Sequence, residues 1–292
     1  MYNNKNIKYV VVTPVRDEVE YLEKTIFSMV SQTIQPLQWW IVDDGSSDGT
    51  KEIIQKYAKS YDWINAVYRA DRGYRKSGGG VIEAFYDAYN QITVKEFDFI
   101  VKLDGDLSFQ EDYFEICFDY FLKDSALGIG GGTVYSSVNG KLVTEKDPIF
   151  HVRGATKIYK EKCWEEIGGL IKAPGWDTLD EIKANMLGYK TRRFNDLKLI
   201  QHKPTGSADG IWRNWYKNGM ANYITGYHPL FMLGKCSKRM FEKPYFIMSF
   251  ALLSGFFGGY LGKIPQVADK KLIKYLRKEQ MKKMFGMKTI WK

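Results

Sequence analysis

Short apolar runs alternate with amphipathic stretches through the first hundred residues. "KYVVVT" (8–13), "QWWIV" (38–42), "INAVY" (64–68) and "FDFIVKL" (97–103) have the length and composition of strands. Between them, "EVEYLEKTIFSMVSQ" (18–32) lays Leu22, Ile26, Met29 and Val30 on one helical face. "DDGSSDGTKEIIQKYAKS" reads as a turn entering a helix with Ser47 or Asp48 as its N-cap, and a further helix from about residue 78 to 92 follows a glycine-rich loop. Strands separated by helices predict a parallel sheet with right-handed crossovers, which makes the first ~105 residues an α/β half of the nucleotide-binding type. Farther on, "ALGIGGGTVY" and "FHVRGATKIY" read as strands, and "DTLDEIKANMLGYK" reads as a helix closed by Gly188 as its C′ residue.

That order of elements gives weight to "LDGDL". Two carboxylates one residue apart, Asp104 and Asp106, repel unless the turn is open to water or a cation lies between them. An Asp-Gly dipeptide is also a hairpin signal. Here, however, the preceding strand follows a crossover helix, so its carboxyl end falls on the sheet edge where α/β proteins bind ligands. The pair therefore reads as oxygen ligands for Mg²⁺ or Mn²⁺, with phosphates completing the shell.

Composition changes the picture in one respect. The chain of 292 residues carries a net charge of +9, of which +8 lies between Lys263 and Lys292. A near-neutral main body argues against a nucleic-acid partner, and a basic tail suits the inner face of an anionic membrane. Three scattered cysteines fit neither a disulfide framework nor a zinc site. The N-terminal stretch lacks the apolar run of a secretion signal, so the expected location is cytoplasmic.

In this order and spacing, "TPVRDEVEYLEKTIFSMVSQT", "WWIVDDGSSDGT", "VKLDGD" and "PGWDTLDEIKANMLGYKTRRF" resemble the family 2 glycosyltransferases, from about residue 8 to about 206. The resemblance implies a GT-A fold, Rossmann-like with a mostly parallel sheet flanked by helices. It also implies an inverting enzyme using a UDP-, GDP- or TDP-sugar and a divalent metal. By the same likeness Asp104 and Asp106 hold the metal with His202, Asp104 also touches the ribose, Asp43 accepts from the base, and Thr13, Pro14 and Glu18 line the nucleotide pocket. Arg16 stands where an aromatic often stacks on the base, and Asp17 where Asn is usual; a guanidinium plane can stack in its place. Ser46, Ser47 and Asp48 read as a turn and cap. In "DRGYRKSGGG", Arg72, Arg75 and Lys76 beside three glycines suit phosphate contact as well as they suit a plain surface loop. For the general base, counting back from "GY" at 188 and 189 gives Asp177, with Asp180 and Glu181 as rivals.

The catalytic domain is expected over 1–206, divided near 106, with a helical extension over 207–292. "PYFIMSFALLSGFFGGYLG" (244–262) is uncharged over 19 residues, and basic flanks on both sides oppose a simple span. It is expected to dip into or lie on the inner leaflet, or else to pack on the domain. In the tail, Leu272, Ile273, Leu276 and Met284 share an arc that suits either a lipid interface or docking on the domain. The reading as a whole is transfer of one sugar to a glycan or lipid-linked acceptor in surface polysaccharide or glycolipid synthesis. Its competitors are a non-catalytic basic protein binding membrane or nucleic acid, and a metal-dependent nucleotidyltransferase.

Overall fold

A computed structural model of the protein describes residues 6–73, 79–138, 141–144, 147–203, 210–241 and 245–291. The first half builds β1 (Tyr9–Val15), α1 (Leu22–Val30), β2 (Gln38–Asp43), α2 (Thr50–Ser60), β3 (Ile64–Tyr68), α3 (Gly79–Tyr89) and β4 (Phe99–Leu103). Then come β5 (Leu107–Phe109), α4 (Tyr113–Lys123), β6 (Leu127–Val138), β7 (Lys141–Val143), β8 (Thr156–Lys160) and α5 (Glu161–Ile167). The chain goes on through α6 (Trp176–Met186), β9 (Lys190–Gln201), α7 (Ile211–Ile224), α8 (Pro229–Arg239), α9 (Ile247–Leu261) and α10 (Lys270–Met284).

Among the described residues the strands form one sheet in the order β3-β2-β1-β4-β8-β6-β9-β5, with β7 paired to β6. The half from β3 to β4 is parallel, as the alternation of strands and helices requires. Beyond β4 the sheet is mixed: β8 runs antiparallel to β4 and β6, whereas β6 and β9 are parallel. Of the expected strand "FHVRGATKIY" only 156–159 join the sheet, as part of β8 (Thr156–Lys160).

Two apolar layers cover the sheet. Val11, Val101 and Leu103 pack with Leu22, Ile26, Phe114 and Phe118, while Val10, Ile100 and Tyr159 face Phe85 and Trp164. Alternation along β4 sends Lys102, the one charged residue in "FIVKL", toward the second layer. Gly105 is required by close approach: a Cβ there would lie 2.4 Å from Val15 Cγ1.

The expected N-cap is corrected. Gly49 holds that position in α2 with φ of 97°, and the Asp48 carboxylate accepts from the backbone N–H groups of Thr50 and Val19. Gly188 does follow the α6 C-cap, with φ of 95°.

The C-terminal helices pack on α6. A third apolar cluster joins Leu179 and Ile182 of α6 to Tyr223, Phe256, Leu272 and Leu276. Of the two readings of the basic tail, docking is therefore the one found, since Leu272 and Leu276 are fully buried. Helices α7 and α9 meet backbone to backbone: a Cβ on Gly219 or Gly255 would lie 2.0 Å from the carbonyl oxygen of Leu252 or Tyr216. No helix among the described residues is long and apolar enough to cross a membrane.

Candidate functional site

The carboxyl ends of β1, β2 and β4 meet at one sheet edge and deliver Glu18, Asp43 and the Asp104/Asp106 pair to it. Asp106 is only 5% exposed and Glu18 only 8%. Gln201 Nε2 donates to Asp106 Oδ2 at 3.1 Å, and Lys203 Nζ lies 2.7 Å from Glu18 Oε1. The other oxygen of each carboxylate, Asp106 Oδ1 and Glu18 Oε2, is buried with no hydrogen-bond partner among the described residues. Burial, reinforced by the charge of Asp104, raises the Asp106 carboxyl to about 6. Burial also raises Glu18 to about 7 against the pull of Lys203, with the charges of Asp106 and Asp104 pushing the same way. Orphaned anionic oxygens under mutual repulsion are expensive, and a cation is the species that relieves them.

Asp104 carries a different partner. The buried Lys102 ammonium donates to Asp104 Oδ1 and to the Gly154 carbonyl, at 2.6 Å for the latter, and lies 5.5 Å from the Trp176 ring. Gly154 packs against the start of α6, since a Cβ on it would stand 2.9 Å from Trp176 and 3.3 Å from Asp177 Cβ. Lys102 thus joins the acidic pair to the residues proposed for proton abstraction. No motif pointed to it, although a lysine in an otherwise apolar buried strand is a signal in its own right.

The three candidate bases are not equivalent. Lys157 and the Tyr159 hydroxyl donate to Asp180, and burial raises its carboxyl. Glu181 is fully buried and accepts from Val152 N–H at 2.7 Å, with His151 Nδ1 at 2.9 Å and Lys157 Nζ at 3.0 Å. Asp177, in the first turn of α6, is partly exposed, and its carboxylate makes no hydrogen bond or ion pair among the described residues.

The charged group beneath α6 also sets a pH dependence. Burial lowers the His151 pKa, but the adjacent Glu181 carboxylate outweighs it and lifts the value from 6.5 to about 9. A raised folded-state pKa contributes stability that is complete below 6.5 and lost as pH rises through 9. We expect up to about 3 kcal/mol of this loss between pH 6 and 10, read from urea midpoints, and a flatter profile for His151→Gln.

The residues expected to line the donor pocket have internal partners in the structure. The Thr13 side chain is fully buried and accepts from the Trp39 indole at 2.8 Å, so it faces the core rather than a ligand; Pro14 is buried beside it. Asp43 Oδ1 accepts from Ser46 N–H at 2.8 Å. The Arg16 guanidinium is fastened to the Asp44 carbonyl and Asp71, both at 2.7 Å. Asp17 adopts φ of 53°, a conformation that Asn and Asp tolerate, which accounts for either residue at this turn. His202 Nε2 lies 2.9 Å from Ser108 Oγ, its ring is stacked near Tyr21, and burial lowers its pKa. Among the described residues no three His, Cys, Asp or Glu side chains are arranged to hold a metal, so the expected trio of Asp104, Asp106 and His202 is not assembled. Lys76 lies outside the described residues. Sequence reasoning missed Gln201 and Lys203, which reach the acidic cluster only because β9 ends beside it.

Comparison with known proteins bears on this site. The profile of glycosyl transferase family 2 matches residues 10–177. TuaG of Bacillus subtilis, named for teichuronic acid biosynthesis, is 29% identical over 116 residues, 39% of this chain and 42% of the relative. The glycosyltransferase AglE of Haloferax volcanii is 26% identical over 139 residues, 47% of this chain and 42% of AglE. The chain thus spans less than half the length of these curated relatives. Among solved structures, the mannosyltransferase PcManGT of Pyrobaculum calidifontis, in complex with GDP-Man and Mn²⁺, aligns with a TM-score of 0.56 at 15% identity, covering 87% of each chain. S. aureus TarS 1–349 with UDP aligns at 0.54 and 14% identity over 88% of this chain and 72% of that one. At such identities the likeness is one of fold.

Proposed function

The chain belongs to glycosyl transferase family 2, and from that premise we propose that it moves one sugar from a nucleoside diphosphate donor to an acceptor hydroxyl, with inversion. The observation carrying this reading is the pair of orphaned, buried carboxylate oxygens on Asp106 and Glu18 beside Asp104. These residues fit a divalent cation, Mn²⁺ or Mg²⁺, held by Asp106 and Asp104 with donor phosphates filling its shell, and PcManGT carries Mn²⁺ with its donor. Such an ion supplies countercharge to the departing diphosphate. Lys102 holds Asp104 in place from below, and Lys203 neutralises one oxygen of Glu18. Asp177 takes the proton from the acceptor hydroxyl, because it alone of the three acids at α6 has a carboxylate not already committed.

Donor hydrolysis, measured across UDP-, GDP- and TDP-sugars with Mn²⁺ and with EDTA, tests the proposal. Release of nucleoside diphosphate in one Mn²⁺ reaction and none in EDTA is the expected result; no release with any donor would sink it.

The acceptor is proposed to be a glycan or lipid-linked, reached at the inner face of an anionic membrane. Support comes from α9, which has no charged residue. Its inner face packs on α7, while Ile247, Phe250, Phe257 and Leu261 form an outward stripe, with Phe250 53% and Leu261 86% exposed. Lys263 stands two residues beyond Leu261. An apolar stripe with basic neighbours is the pattern of an interfacial helix. Co-sedimentation with phosphatidylglycerol vesicles is expected, weakened at least about tenfold by Phe250→Ser with Phe257→Ser, since two aromatic side chains carry several kcal/mol of burial. Equal sedimentation of wild type and variant would remove this part of the proposal.

A further inference from the structure

One pair of cations on α8 has no role in the donor site. Lys235 and Arg239 stand one turn apart on α8, and like charges at that spacing repel. Neither forms an ion pair among the described residues; each rests on an aromatic ring. Lys235 Nζ lies 5.4 Å from the centre of the Tyr227 ring, and Arg239 Cζ lies 4.9 Å from that of Trp215. Tyr227 is buried in the cluster that includes Leu179 of α6. Among the described residues the acid whose charge acts on Lys235 is Asp147, and the two form no ion pair.

The same face adjoins the proposed base. A Cβ on Gly175, the residue before α6, would lie 2.7 Å from Thr225 Cγ2, so the start of α6 is pressed against the end of α7. Asp177 is two residues beyond Gly175, Tyr227 is two residues beyond Thr225, and the charge of Asp177 acts on the Tyr227 hydroxyl. Tyr227 thus links the two ends, with Lys235 against its ring and the charges of both Asp177 and Arg239 acting on it.

We propose that Lys235 and Arg239 form an acceptor subsite for an anionic oxygen group, a phosphoryl group in particular, that holds the acceptor with a hydroxyl at Asp177. An ammonium and a guanidinium backed by aromatic rings supply several donors and two charges, the combination that takes a phosphoryl group. The subsite rests on the glycosyltransferase reading and deepens it by naming a class of acceptor. Independent of any ligand, the pair is costly: burial first, then Arg239, pushes the Lys235 ammonium down to about 8. A bound anion offsets both penalties, which is the physical reason for leaving two such cations without an acidic partner among the described residues.

The test is titration of the full-length protein with inorganic phosphate in EDTA, followed by calorimetry and by thermal melting. Wild type is expected to bind and to melt higher with phosphate, and Lys235→Gln and Arg239→Gln should each weaken binding at least about tenfold. Lys235→Met, which relieves the repulsion, should melt no lower than wild type without phosphate and gain nothing from it. A merely structural lysine predicts the opposite, a lower melt. Phosphate binding unchanged in both glutamine variants, or lost on Asp106→Asn but kept in them, overturns the proposal. A second arm compares phosphatidylglycerol with phosphatidylcholine vesicles. Dependence of phosphatidylglycerol binding on Lys235 and Arg239 assigns the phosphoryl group to a lipid, and dependence of free phosphate binding alone assigns it to a soluble acceptor. Donor hydrolysis by wild type fails separately if the glycosyltransferase reading is wrong.

Discussion

Replacing Asp106 with asparagine is expected to lower sugar transfer at least about a thousandfold and to eliminate Mn²⁺ binding measured directly by calorimetry. The size follows from where Asp106 sits. Its carboxylate is almost wholly buried, accepts on one oxygen from Gln201, and presents the other with no partner among the described residues. Asparagine keeps the shape and removes the charge, so the cation loses its best-placed ligand while the fold keeps its packing. Stability should hold or rise, because burial and Asp104 already penalise the charged form of Asp106. A variant that keeps Mn²⁺ affinity and turnover would mean that the acidic edge has another purpose.

The second large effect is expected at Asp177. Asp177→Asn should leave donor binding within about twofold and reduce transfer by roughly 10²–10⁴-fold, the usual contribution of a general base. Its neighbours cannot take over without breaking existing bonds: Asp180 is held by Lys157 and Tyr159, and Glu181 by His151, Val152 and Lys157. Asp180→Asn and Glu181→Gln should instead act mainly on stability, since each strands part of a buried charge network. Donor affinity by calorimetry, transfer rate and urea midpoint separate the two behaviours. Unimpaired transfer by Asp177→Asn would move the proton-accepting role to one of the other acids.

The two mutants also divide the reaction physically. Asp106 belongs to the half built by parallel strands, whose carboxyl ends gather the donor-side acids. Asp177 belongs to α6, which is fixed by β8 through Lys157 and by the C-terminal helices through Leu179 and Ile182. Lys102 connects the halves, because its ammonium touches Asp104 and the Gly154 carbonyl while lying over Trp176.

The order of strands and helices up to β4 was readable from the chain because burial on two faces and helical amphipathy are local patterns. "IVDDGSSDGT" and "VKLDGD" each end a strand, so the meeting of Asp43 and Asp104 at one edge followed from the parallel strand order, whereas Glu18 was placed there by the family resemblance. Gly105 was legible as part of a doublet, but its cause, the Val15 side chain against it, was not.

What the sequence by itself determined, then, is the α/β framework, the family, and the acidic pair at the end of β4. Tertiary structure alone decided which acid at α6 stays uncommitted, that Lys102 rests on Asp104, that His202 turns to Ser108, that Thr13 is sealed by Trp39, and that the basic tail docks through Leu272 and Leu276. The physical reason is that strand and helix formation depend on neighbours a few residues apart. The state of a charge depends on whichever residue the fold brings within about 3 Å, and for Asp180 that is Lys157, for Glu18 Lys203, and for Glu181 His151.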